Sequence, residues 1–231
     1  MATFVLVHGS WGGGWVWDRL RPLLESAGHT VLTPTLAGLA ERHELSAPDV
    51  GLGVHAREIA QLLESEGVQD AILLGHSYGG MVITGAAALA ADRVGQVVYA
   101  DAFAPVTGES AFGMLPWLEP AFAEARGPAE WEVAPLDTGA LGADEEGAAW
   151  LSSRMTPMPR FTHEEALGPG SEEVLAAKPV TYFYCADQDF FTEVAAAAEK
   201  RGFRVVALSG VTHVGLLTHP DGFAQELLKL T

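Results

Sequence analysis

The segment LLGHSYGGMV, Leu73 to Val82, is the stretch that most restricts how this chain can fold. Ala71 to Leu74 is an apolar run of strand length, and Met81 to Ala91, crowded with alanine, reads as a helix. Ser77 therefore falls on the turn between them. A strand that passes directly into a helix leaves almost no room beside the turn residue, so Gly75 and Gly79, which lack a Cβ, let the two backbones approach. The side chain of Ser77 is then expected to stand out at the carboxyl edge of a sheet, where open α/β sheets place their ligands. The run Gly75-His76-Ser77-Tyr78-Gly79 fits G-x-S-x-G, and its position between strand and helix makes Ser77 a candidate nucleophile.

The same alternation continues along the chain. Thr3 to Val7 predicts a strand entering the glycine-rich loop HGSWGGGW, and Trp15 to Ala27 predicts a helix ended by Gly28. Strands are expected at Thr30 to Thr33, Gln96 to Asp101, Val180 to Cys185 and Arg204 to Leu208. Helices are expected at Val54 to Glu66, Thr192 to Arg201 and Asp221 to Leu230. This pattern predicts an α/β fold, a mostly parallel sheet of about six strands with helices on both faces. With 231 residues the chain fits a single domain, 1–231. The one interruption is an insertion at about 105–178, which has no strand signal and carries Phe112, Trp117, Phe122, Trp131, Trp150 and Phe161. A long insertion rich in aromatics reads as a helical cap over a site.

Composition narrows the partners. A formal net charge of −17 argues against nucleic acid and anionic membrane surfaces, both of which need a basic footprint. Residues 105–178 hold 13 Asp and Glu against 4 Lys and Arg, which reads as a solvated face. No apolar run approaches the roughly 20 residues of a membrane span. The chain opens without a basic and apolar leader, and Cys185 is its only cysteine, so a cytoplasmic location is expected and an intrachain disulfide is excluded.

A serine hydroxyl needs a base within hydrogen-bond reach, and the base needs a third group to orient it. Downstream, YFYCADQDFF offers Asp187 and Asp189 after one predicted strand, and LSGVTHVGLLTHP offers His213 after the next. The second histidine of that segment, His219, precedes Pro220 at the start of the last helix. His8 and His76 belong to the loops around the site and are read as packing or orienting groups. A negative tetrahedral intermediate also needs donors. The backbone N–H of Tyr78, after the nucleophile, and that of Ser10, in the first glycine-rich loop, are the candidates. The candidate substrate-binding residues are Trp11, Phe103, Trp117 and Val214.

FVLVHGSWGGGWVWDRLRPLLESAGHTV, LLGHSYGG, CADQDFF and VTHVGLLTHP together resemble the α/β-hydrolase superfamily, in the branch of plant methyl esterases such as the salicylate-binding protein, hydroxynitrile lyases, and bacterial esterases and pyrethroid hydrolases. The segment TLAGLAERHEL is closer to the bacterial esterases. The resemblance implies Ser77, His213 and Asp189 as a catalytic triad, Asp189 being preferred to Asp187, with Ser10 and Tyr78 as the oxyanion hole. It implies a serine esterase acting on a small or medium hydrophobic ester, with no cofactor and no metal; a homodimer is compatible with it. The lyases resembled here carry threonine after the first-strand histidine and lysine after the catalytic histidine. This chain has Gly9 and Val214 there, which favours ester hydrolysis over cyanohydrin cleavage. A lactone or C–C bond hydrolase, a biosynthetic tailoring enzyme, and a non-catalytic small-ligand receptor remain the alternatives on the same scaffold.

Overall fold

The computed structural model describes all residues, 1–231. Six strands form one parallel sheet: β1 (Thr3–Val7), β2 (Thr30–Leu32), β3 (Ala71–Ser77), β4 (Val94–Ala102), β7 (Val180–Cys185) and β8 (Arg204–Leu208), with β5 (Glu132–Val133) and β6 (Met158–Pro159) lying outside it. The order across the sheet is β2-β1-β3-β4-β7-β8, which puts β3 and β4 at its centre. The helices are α1 (Arg21–Ser26), α2 (Leu52–Ser65), α3 (Gly79–Leu89), α4 (Ala111–Met114), α5 (Leu118–Glu124), α6 (Glu145–Ser152), α7 (Phe161–Glu164), α8 (Ser171–Ala177), α9 (Thr192–Lys200), α10 (Gly215–Thr218) and α11 (Asp221–Leu228).

Both faces of the sheet are covered, and the strands are apolar on both sides as a consequence. Val5, Val7, Leu73, Val97 and Tyr99 face the larger core with α2, α3 and α9, whereas Phe4, Leu6, Ile72, Leu74 and Val98 face the smaller one with α1 and α11. The period of two along each strand assigns alternate residues to the two cores.

Two local expectations are corrected. The helix expected over 15–27 is two pieces, a 3-10 turn at Gly14–Trp17 and then α1, because Pro22 can stand only in the first turn of a helix. The insertion contains strands after all: β5 and β6 pair antiparallel through Glu132↔Pro159 and Val133↔Met158. Strands of two residues are too short to show any periodicity. The insertion leaves β4 and returns at β7, carrying α4 to α8 and this small ribbon across the carboxyl edge of the sheet. No helix is long and apolar enough to cross a membrane.

Candidate active site

The carboxyl ends of β1, β3 and β4 converge, and each holds, within the strand or just beyond it, a non-glycine residue in the left-handed region: Trp11 at φ 60°, Ser77 at φ 54° and Asp101 at φ 45°. Strain of this kind persists only where the surrounding structure enforces it, and it concentrates at functional sites. At Ser77 the enforcement comes from glycine. A Cβ on Gly75 would strike the backbone of Gly79, and one on Gly79 would strike the carbonyl of Val7, so strand and helix meet with no side chain between them.

Asp101 owes its position to a bulge. β3 and β4 pair His76 with Ala100 and then Ser77 with Ala102, leaving Asp101 as the extra residue on β4. A bulge re-aims the side chain it carries. Here the buried carboxylate accepts from the Cys185 amide at 2.9 Å through Oδ1, and from His213 Nδ1–H at 2.6 Å through Oδ2. Burial and this neighbouring carboxylate push the Cys185 thiol up from its ordinary value.

The acid position expected for Asp189 is therefore corrected: the carboxylate that orients His213 is Asp101. Asp189 lies four residues beyond the end of β7, on an exposed loop, and makes no side-chain hydrogen bond within the chain. The neighbours of Asp189 support the histidine loop from outside instead. Asp187 accepts from the Gly210 amide, and Gln188 Oε1 accepts from the His213 amide. Asp101 carries one sequence signal, a carboxylate inside the otherwise apolar run VVYADAFAP, at the end of the strand expected over Gln96 to Asp101.

His213 is buried, with its ring tilted over His76 at 4.5 Å and stacked on Phe191 at 5.5 Å. With Nδ1 held by Asp101, Nε2 is the nitrogen available to the Ser77 hydroxyl, which lines the same cavities. His219 is exposed and bonds Thr218. His76 donates from Nε2 to the His213 carbonyl at 2.9 Å, and His8 donates from Nδ1 to the Gly9 carbonyl at 2.8 Å while accepting from the Leu36 amide at 3.1 Å. Burial lowers the His8 pKa to about 4 and that of His76 well below 6.5. Both rings are neutral braces for the loops that carry Ser10 and Ser77.

The amides of Ser10 and Tyr78 donate to no other part of the chain. The Tyr78 side chain is fixed by its hydroxyl, which lies 3.0 Å from His55 Nδ1, and His55 Nε2 donates to the Ala37 carbonyl at 2.9 Å. Trp11 ties the first loop to the insertion by donating from Nε1 to the Val133 carbonyl at 3.1 Å.

Two cavities open on Ser77, of about 50 and 40 Å³. The first is aromatic and takes in Trp11, Phe103 and Trp117, with Phe122, Phe190 and Phe191 added by the structure. The second is lined by Val214 together with Trp15, Met155 and Leu217. His163, which nothing in RFTHEEAL singles out, reaches the first cavity from α7 of the cap.

The comparisons with known proteins show the family and the fold. The profile described as "Alpha/beta hydrolase family" matches residues 4–226. A carbendazim hydrolyzing esterase of Nocardioides sp. (strain SG-4G) is 45% identical over 179 residues, 72% of this chain and 73% of that protein. Methylesterase 2 of Arabidopsis thaliana is 32% identical over 146 residues, 62% of this chain and 53% of the other. Among solved structures, an extracellular alpha/beta-hydrolase from a Paenibacillus species, described as sharing structural and functional homology with tobacco Salicylic Acid Binding Protein 2, superposes with a TM-score of 0.86. It is 26% identical and covers 99% of this chain and 98% of that one.

Proposed function

This chain belongs to the alpha/beta hydrolase family, and from that premise we propose that it is a carboxylic ester hydrolase working through an acyl-enzyme on Ser77. The observation that carries the reading is the His213–Asp101 pair at 2.6 Å beside a serine held at φ 54°. In the proposed cycle His213 Nε2 takes the Ser77 proton as Oγ attacks the ester carbonyl. The carbonyl oxygen becomes negative between the Ser10 and Tyr78 amides, which have no other acceptor in the chain. The imidazolium, stabilised by Asp101, passes its proton to the departing alcohol oxygen. Water then gives a proton to the same nitrogen and attacks the acyl-enzyme, and Ser77 recovers its hydrogen as the carboxylic acid leaves.

The two cavities that open on Ser77 suit the two halves of an ester, and their apolar walls favour hydrophobic groups. The lyase alternative lacks its two characteristic side chains. A Cβ on Gly9 would lie 2.8 Å from that of Ser77, so a threonine cannot be added there without moving the nucleophile, and Val214 brings no ammonium.

The test is hydrolysis of a chain-length series of p-nitrophenyl esters by the wild type and by Ser77→Ala, with mass spectrometry after a fluorophosphonate probe. The expected result is turnover by the wild type, a loss of roughly 10⁴-fold or more in the variant, and an adduct on Ser77. Equal inertness of both proteins, with no adduct, would end the esterase reading.

A further inference from the structure

The aromatic cavity contains one polar pair besides the catalytic groups, Ser10 and His163, and its protons can be assigned. The Thr162 hydroxyl donates to the Pro159 carbonyl at 2.7 Å. Toward His163 Nδ1, 2.9 Å away, the same oxygen must then accept, so the imidazole proton sits on Nδ1 and Nε2 is a bare lone pair. Ser10 Oγ lies 3.2 Å from that lone pair and donates to it. The only hydroxyl proton of Ser10 is thus committed, and toward the rest of the cavity its oxygen offers lone pairs alone.

The histidine is held in this role from all sides. It is buried, stacked on Tyr78 at 4.9 Å, and enclosed by Phe122 at 4.6 Å, Phe112 at 5.8 Å and Phe103 at 6.2 Å. Burial lowers its pKa to about 3, so it stays neutral and the donor–acceptor order does not reverse near neutral pH. Ser10 is also the residue whose amide faces the developing oxyanion in the proposed mechanism, and it lines the same cavity as Ser77.

We infer that the aromatic cavity selects esters that carry a hydrogen-bond donor, a hydroxyl or an N–H, within two bonds of the scissile carbonyl, with Ser10 Oγ as the acceptor and His163 as the positioning residue that fixes its polarity. The placement of the carbonyl rests on the Ser77 reading; the acceptor itself does not. An ester without such a donor buries the Ser10 lone pairs against apolar groups, and an unmatched acceptor in a closed site reduces binding by about tenfold.

The experiment uses Ser77→Ala protein, which retains bound ester, and follows tryptophan fluorescence, because Trp11 and Trp117 line the cavity. The ligands are phenyl hydroxyacetate, phenyl methoxyacetate and phenyl propionate. The hydroxyacetate is expected to bind about tenfold tighter than the methoxyacetate. Adding Ser10→Ala should bring that ratio close to one. Adding His163→Phe frees the Ser10 proton, so the methoxyacetate should gain relative to the hydroxyacetate. Each ratio is taken within one protein, so a general loss of stability cancels. Equal affinities in Ser77→Ala, or a preference that survives Ser10→Ala, would overturn the inference. Wild-type turnover of the same esters separates the two readings. Selective binding with no hydrolysis would remove the Ser77 mechanism and keep the acceptor. Hydrolysis at relative rates that follow only the intrinsic reactivity of the esters would keep Ser77 and remove the acceptor.

Discussion

The catalytic role of a carboxylate depends on which atom it reaches, and here one side chain serves two purposes. Asp101 accepts from the Cys185 amide with one oxygen and from His213 with the other, so the same carboxylate joins β4 to β7 and fixes the imidazole. Asp101→Asn should keep the shape, with its single carbonyl oxygen on the Cys185 amide and its NH2 turned to His213 Nδ1, which favours the wrong imidazole tautomer and leaves the imidazolium without its counter-charge. A fall in kcat of roughly 10⁴-fold is expected with little change in thermal stability. Asp189→Asn, on an exposed loop, should stay within about twofold of wild type. Steady-state kinetics of the two variants decide the matter, and the opposite ranking would return the acid role to Asp189. The difference also shows what the chain reveals by itself. Ser77 and His213 were legible because each follows a recognisable strand, one with a glycine signature. Asp101 was not, because a bulge is a mismatch in pairing between two strands, and a lone carboxylate in an apolar run does not reveal one. His163 was hidden for a related reason: its partner Ser10 is 153 residues away in sequence.

Short apolar strands were the easiest elements to read. The expected limits of β1, β7 and β8 coincide with the structure, since short apolar runs bounded by turn residues leave few alternatives. The cap was legible only as an insertion, because its helices are short and its ribbon has two-residue strands. Within the elements, glycines that look alike in sequence differ sharply in consequence. Gly75 and Gly80 are enclosed by backbone: a Cβ on the first meets Gly79, and one on the second meets the Phe103 carbonyl. Backbone cannot yield as a flexible side chain does. Gly75→Ala is expected to destabilise the protein by about 3 kcal/mol or more, judged against the tail of measured substitutions. Gly222, in the first turn of α11, has nothing within 4 Å of a Cβ. Gly222→Ala should stabilise by about 0.5–1 kcal/mol, through helix propensity and a less flexible unfolded chain. Urea denaturation of both variants tests the contrast, and a similar midpoint shift in both would contradict it.

At the scale of the whole molecule, the histidines that brace the site link its integrity to pH. Burial lowers the pKa of His8 and His55 to about 4 and of His163 to about 3, and takes His76 well below 6.5. In the unfolded chain each would titrate near 6.5. Above that pH all four are neutral in both states, and their contribution to stability is fully present. Below it the unfolded chain binds protons that the folded protein refuses, so stability falls as pH drops from about 6.5 toward 4. Each such histidine removes about 1 kcal/mol per pH unit over that range, and a typical domain has only about 5–15 kcal/mol in reserve. The melting temperature is therefore expected to hold nearly level from pH 8 to 7 and to decline with increasing steepness below 6.5. The decline should begin before most carboxylates titrate. His163→Phe removes one of the four sites and should make the decline shallower by about one proton, whatever it does to the absolute melting temperature. Melting curves at half-unit intervals from pH 8 to 4.5 provide the slope. A stability that stays level down to pH 5 would mean that these rings accept protons in the folded state, and the neutral imidazole assigned to His163 would lose its basis along with the polarity assigned to Ser10.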